Sequence, residues 1–300
     1  LNDDMSQSLT TNIDDVALVF EGGGMRAAHT SAVVQELIAN ELWFDWVGGI
    51  SAGATNTINY ASRDAARAAT SFIDMSEDPN FGSWRTWVRG KGVFNAEYIY
   101  EQTGEPGQAF PLDLETFTAN PATVRIGAFN ANTGESRYWG KDEMTTVREI
   151  GQRARASSTM PGLMPFVTID GETWCDGALG PSGGIALDAA MTDGYERFFV
   201  VLTRQSGYRK AAPRLPRAYG ALFRRYPKVA AALLQRHENY NRTLEQLATL
   251  EEQGRAYVYR PERMTISNQE RRIDRLRAAH ADGVTQSRRD LPGWKHFLGR

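Results

Sequence analysis

The sequence predicts an α/β protein whose central sheet is mostly parallel and flanked by helices. Three observations carry this expectation. Val16–Phe20 is an uninterrupted apolar run that ends at glycines, the pattern of a strand buried on both faces. Residues 26–40 follow with Thr30, Val34, Leu37 and Ile38 at helical spacing and Glu36 on the other side. Trp46–Ile50 then starts the same order again, and the small residues of 52–61 let a second helix sit close to the sheet. Strand, turn and helix repeated in this way favour parallel strands joined by crossover helices.

The remaining elements follow along the chain. Residues 1–13 read as a loose polar arm. Segment 72–110 is irregular and aromatic, with Phe72, Phe81, Trp84, Trp87, Phe94, Tyr98, Tyr100 and Phe110 among turn residues. Residues 124–130 and 135–139 flank Ala131-Asn132-Thr133-Gly134, a hairpin signal. Residues 146–156 read as a helix, and 166–169 with 172–175 form a second hairpin around Asp170-Gly171. The apolar run Phe198-Phe199-Val200-Val201-Leu202 marks a central strand within 196–203. Residues 219–250 are mostly helical with a break at Pro227, and 256–259 form a short strand before Pro261. No repeat or low-complexity tract interrupts the chain. The expected organisation is an arm over 1–13, a catalytic domain over 14–205 and a helical C-terminal extension over 206–300 packed on it.

Composition narrows the function classes. A hydrophobic fraction of 41% over 300 residues supports a sizeable core. A net charge of −2 gives no global pull toward nucleic acid, so no nucleic-acid partner is expected. The single cysteine, Cys175, excludes an intramolecular disulfide framework and fits a reducing compartment. No apolar run reaches the roughly 20 residues needed to span a bilayer, and residues 1–15 are too polar for a signal peptide. The expected location is therefore cytoplasmic, with peripheral contact at the inner face of the membrane.

Two turns carry the chemistry. Glu21-Gly22-Gly23-Gly24-Met25-Arg26 follows the first strand and opens a helix. Such a loop gathers unpaired backbone N–H groups at a positive helix end, and glycine lets the backbone approach a ligand closely. It suits a phosphate cradle, a developing oxyanion or a plain tight turn. Neither Gly-Lys-Ser/Thr nor Gly-x-Gly-x-x-Gly spacing is present, which weakens the nucleotide reading. Arg26 adds positive charge in either case. The second turn, Gly49-Ile50-Ser51-Ala52-Gly53, has the Gly-x-Ser-x-Gly form of a nucleophile elbow between strand and helix, with the Ala52 N–H as a natural oxyanion donor. Gly180-Pro181-Ser182-Gly183-Gly184 lacks a preceding apolar strand and reads as structural.

A serine nucleophile needs a base. His237, His280 and His296 lie in polar or charged helical sequence and read as surface residues. His29 is nearest the glycine loop but lies one turn inside the helix, a poor position for reaching the serine. Asp176, in Trp174-Cys175-Asp176-Gly177-Ala178, stands at a strand end before a glycine. Asp170-Gly171 is ordinary hairpin-tip chemistry. Asp176 serves as a base if it stays ionised yet poorly solvated; its plain alternative is an Asp-Gly turn beside a buried cysteine.

Taken together, Gly22-Gly23-Gly24-Met25-Arg26, Gly49-Ile50-Ser51-Ala52-Gly53, Asp176-Gly177-Ala178 and the small-residue block Ala156-Ser157-Ser158-Thr159-Met160-Pro161 resemble the patatin-like phospholipase family. Pattern and order extend over about residues 16–203, and segments 206–210 and 259–261 look like the bacterial branch with a C-terminal helical extension. The resemblance implies a three-layer α/β/α fold and a Ser–Asp dyad without a catalytic histidine. Ser51 would be the nucleophile, Asp176 its base, and the backbone of Gly22, Gly23, Gly24 and Ala52 the oxyanion hole, with Arg26 beside it for an anionic group. It also implies hydrolysis of lipid acyl esters, with no cofactor and no metal. The departure is Ala27-Ala28-His29, where many members carry glycine; it leaves open a serine esterase using His29. A catalytically silent lipid-binding member is the other alternative. The expected partner is a lipid or acyl ester, met at a membrane through 204–228, where six Arg and Lys residues from Arg209 to Arg225 are interleaved with aromatics and no Asp or Glu.

Overall fold

A computed structural model describes residues 8–77, 95, 97–214 and 216–300. Its centre is an eight-stranded sheet made of β1 (Val16–Phe20), β2 (Trp46–Ile50), β3 (Thr123–Asn130), β4 (Ser136–Trp139), β5 (Val167–Ile169), β6 (Glu172–Asp176), β7 (Arg197–Val201) and β8 (Ala256–Tyr259). The strand order is β5-β6-β3-β2-β1-β7-β8, with β4 on the other edge of β3. β3, β2, β1, β7 and β8 run parallel, and the two predicted hairpins supply the antiparallel strands.

Why β1 and β7 are apolar throughout is visible in their two faces. Leu18, Phe20, Phe199 and Val201 enter one core, while Ala17, Val19, Phe198 and Val200 enter the other. Successive side chains point to opposite faces, so a strand covered on both sides needs an unbroken apolar run.

The first face is covered by α1 (Ala27–Ala39), α2 (Ala52–Ala61), α3 (Ala65–Thr70), α4 (Leu114–Ala119), α5 (Val147–Ser158) and, near the C-terminus, α9 (Ile273–Leu298). The second is covered by α6 (Leu187–Thr192) and the long α8 (Pro227–Glu252), which is preceded by α7 (Pro216–Leu222). This is a three-layer α/β/α fold with a helical C-terminal region. That region also contributes β8, the outermost parallel strand, so it is part of the sheet and not merely laid on it. The contact of α9 on α1 depends on Gly283, where a Cβ would fall 2.3 Å from the His29 carbonyl oxygen.

Residues 12 and 13, expected in the polar arm, are held in place. Ile13 is buried and bridges to Phe44, and the Asn12 and Ile13 amides both donate to the Trp43 carbonyl, so the chain is pinned before β1 begins. Phe81, Trp84, Trp87 and Phe94 lie outside the described residues.

The strand register has one consequence for function. β4 takes one edge of β3 at residues 126–129, so β2 and β6 share the other. On that edge β2 ends at Ile50 opposite Gly127, and β6, running the other way, ends at Asp176 opposite Ala128. Two strand ends from distant sequence therefore abut at consecutive positions of β3.

Candidate active site

Ser51 follows the end of β2 with φ +58° and ψ −126°, a left-handed backbone that a serine adopts only under constraint. The flanking glycines permit this turn. A Cβ on Gly49 would lie 2.3 Å from the Gly53 carbonyl oxygen, and one on Gly53 would lie 2.2 Å from that of Phe20. The Ser51 N–H donates to the Ser157 hydroxyl at 2.8 Å, and that hydroxyl donates to the Gly127 carbonyl at 2.5 Å.

Asp176 is buried, with 5% of its surface exposed. Its Oδ1 accepts the Ala178 N–H at 2.8 Å, and Ser51 lines the same recess and favours the ionised carboxylate. The Asp176 N–H donates to the Thr159 carbonyl at 2.9 Å. The block 156–161 therefore grips both residues, Ser157 holding the backbone of one and Thr159 that of the other. Burial raises the Asp176 pKa above the ordinary carboxylate value, while Arg236, the Ala178 amide, Ser51 and Lys210 partly offset it.

The glycine loop stands against this pair. A Cβ on Gly22 would lie 2.9 Å from the Ile50 oxygen and 3.0 Å from the Ser51 Cβ. Gly24 has φ +55°, and a Cβ there would meet the Asn268 carbonyl oxygen at 2.4 Å. The amides divide into used and unused. Gly22 N–H donates to the Gly184 carbonyl at 3.0 Å, and Met25 N–H donates to the Asn268 carbonyl at 3.0 Å. Gly23, Gly24 and Ala52 make no backbone hydrogen bond through their N–H groups among the described residues. The expectation that Gly22 offers its amide to a ligand is thus corrected, because the 180–184 segment already occupies it. Gly22 is needed for its missing side chain.

Arg26 is buried, and its Nε donates to the Thr203 hydroxyl at 3.4 Å. Burial and the neighbouring Arg204 lower its pKa, with Glu21 opposing. Glu21 accepts from the Thr203 N–H, and from its hydroxyl at 3.1 Å.

Two recesses meet at Ser51. The first is apolar, about 110 Å³, and runs from Ser51 past Met25, Ile58, Phe72, Tyr100 and Ile150. The second is smaller and charged, about 40 Å³, lined by Asp176, Arg26, Lys210, Arg236 and the glycine loop. No histidine lines either recess among the described residues. The reading of His29 as a base is overturned. Its Nε2 is 2.9 Å from the Tyr259 hydroxyl in the packing between α1 and β8, and burial lowers its pKa to about 4. His237 Nδ1 bonds the Leu234 carbonyl, and His280 bonds Gln35. Cys175 is fully buried with its thiol pKa pushed up, as suits a core residue.

Comparison with known proteins gives the family. The family model for patatin-like phospholipase matches residues 18–188, more than half of the chain. The chain belongs to the patatin-like phospholipase family. Residues 226–299 of this patatin-like protein match a second model, a domain of unknown function (DUF6363). The uncharacterized protein YjjU of Escherichia coli (strain K12) is 25% identical over 190 residues, 63% of this chain, and the match spans about half (52%) of that relative's length. The crystal structure of VipD from Legionella pneumophila aligns over 93% of this chain and 67% of that one, with 12% identity and a TM-score of 0.47.

Sequence reasoning had not marked Lys210, Arg236 and Asn268 for this site. They lie beyond the matched phospholipase segment, and Arg236 has the appearance of an ordinary surface residue of a polar helix.

Proposed function

We propose that this patatin-like protein is a serine lipid acyl hydrolase in which Ser51 is the nucleophile and Asp176 the general base. The observation that carries the reading is that Ser51 and the buried Asp176 line one recess, where it meets the apolar one.

In the first half-reaction Ser51 Oγ attacks the ester carbonyl carbon and its proton passes to Asp176. The carbonyl π electrons move to oxygen, and that oxyanion takes the unused N–H groups of Gly23, Gly24 and Ala52. Collapse breaks the bond to the leaving alcohol, which departs with the proton from Asp176. In the second half-reaction water attacks the acyl-serine and gives a proton to Asp176. Collapse then releases the fatty acid, and the proton returns to Ser51 Oγ. The apolar recess holds the acyl chain away from water.

Peripheral membrane contact through 204–228 belongs to the same proposal in a narrower form. Arg204 and Lys210 turn onto Tyr208 and Tyr240, and Arg209 pairs with Glu245. Arg225 lies over Tyr226, which leaves for a bilayer the exposed Arg214, Arg217 and Arg224 around Leu222, which is 68% exposed. No helix among the described residues is long and apolar enough to cross a membrane.

The test is turnover of short acyl esters by the parent, Ser51→Ala and Asp176→Asn proteins. Loss of activity in both variants, with unchanged circular dichroism, is expected. Retained activity in Ser51→Ala would end the reading.

A further inference from the structure

The charged recess holds more positive charge than its surroundings neutralise. Arg26, Lys210 and Arg236 line it together with Ser51 and Asp176, and Arg204 is close enough to repel Arg26 and Lys210. The carboxylates facing these four cations are Glu21 and Asp176, and Glu21 is committed to Thr203. Arginines nearby are paired, Arg209 with Glu245 and Arg260 with Glu251 at 2.6 Å. Neither the three recess cations nor the nearby Arg204 makes an ion pair among the described residues, and the buried Arg236 Nε has no hydrogen-bond partner. Lys210 and Arg204 rest on the Tyr240 and Tyr208 rings, which supply no counter-charge; desolvating cations without a counter-ion is costly, so such a cluster is expected where an anion completes it.

We infer that Lys210 and Arg236, both outside the matched phospholipase segment, form a phosphate-binding subsite that selects esters whose leaving alcohol carries a phosphate. The inference rests on the hydrolase reading of Ser51. It assigns a task to the domain of unknown function: α8 supplies Arg236, and Asn268 closes the glycine loop. The side of Ser51 is set by the two recesses. The apolar one takes the acyl chain, which leaves the charged one for the alcohol. Size fits as well: at roughly 10–15 Å³ per enclosed water, about 40 Å³ is room for a few waters or one phosphate group.

Lys210 and Arg236 also act on Asp176, so the test separates the two roles. The readout is the ratio of kcat/KM for octanoyl glycerol 3-phosphate to that for octanoyl glycerol, which share one acyl chain. Any effect transmitted through Asp176 cancels in this ratio. The parent enzyme is expected to favour the phosphate ester. Lys210→Met and Arg236→Gln are each expected to lower the ratio by about 10- to 100-fold, and Arg236→Lys to recover part of it. A parent ratio near one, or an unchanged ratio in both variants, overturns the inference.

Binding of glycerol 3-phosphate, measured by calorimetry on the Ser51→Ala protein, stands apart from turnover. Binding that weakens on adding Arg236→Gln supports the subsite even if the parent hydrolyses neither ester, a result that would sink the hydrolase reading alone. Absence of binding overturns the subsite.

Discussion

The Ser51 N–H donates to the Ser157 hydroxyl at 2.8 Å, and through it the strained backbone of this proposed nucleophile is tied to β3. Ser157 is fully buried and takes part in both bonds at once. Its replacement by alanine leaves the buried Ser51 N–H without an acceptor, at a cost of about 1–3 kcal/mol. Ser157→Ala is therefore expected to lose about that much stability in denaturant unfolding, and kcat/KM is expected to fall by at least about tenfold as Ser51 relaxes. Unchanged activity would show that Ser51 needs no such tie.

As the proposed base, Asp176 is expected to make activity and stability depend on pH in opposite senses. The base must be ionised, and its pKa is raised by burial, so the acid limb of kcat/KM is expected above the ordinary carboxylate range. Removing Arg236, which opposes that rise, should move the limb to still higher pH. For stability, a carboxyl whose folded pKa is raised favours the fold below its unfolded pKa, and loses that contribution as pH rises through the folded value. Asp176→Asn should accordingly raise Tm near pH 8 relative to the parent and lose this advantage below about pH 4. An equal or lower Tm for the variant at pH 8 contradicts the assignment.

His29 is expected to matter for stability alone. Its Nε2 bonds Tyr259 and its pKa is lowered to about 4 by burial. A histidine kept neutral by the fold contributes stability above its unfolded pKa of about 6.5, and that contribution is lost as pH falls toward about 4. His29→Ala should lower Tm at pH 7, flatten the acid destabilisation between about pH 6.5 and 4, and leave ester turnover near the parent value. A tenfold loss of turnover in a folded variant would restore His29 as a base.

If the apolar recess holds the acyl chain as proposed, it is expected to set acyl length. Ala154 lines it, and Ala154→Phe fills much of its volume. Octanoyl esters should lose about tenfold or more in kcat/KM relative to acetyl esters. Equal losses on both would mean the acyl chain lies elsewhere.

Much of this was legible because the chemistry sits at strand ends. The apolar runs of β1, β2 and β7 declared a covered sheet, and the glycines after β1 and around Ser51 declared tight turns. Asp176 was legible as a strand-end acid, although the register that brings β6 head-on to β2 along β3 was not. What stayed hidden was contributed from far along the chain. Gly184 lies distant in sequence from Gly22, and only the fold reveals that its carbonyl takes that amide. Asn268 sits in irregular sequence, and Arg236 looks like any solvated helical arginine. Periodicity reports which face a residue lies on, not which loop lies opposite.

The most direct measurement is labelling by a fluorophosphonate, followed by peptide mapping of the modified serine. The account predicts covalent modification of Ser51 at pH 8, markedly slowed in Asp176→Asn and unaffected in His29→Ala. Modification at another serine such as Ser182, or none in the folded parent protein, would contradict it.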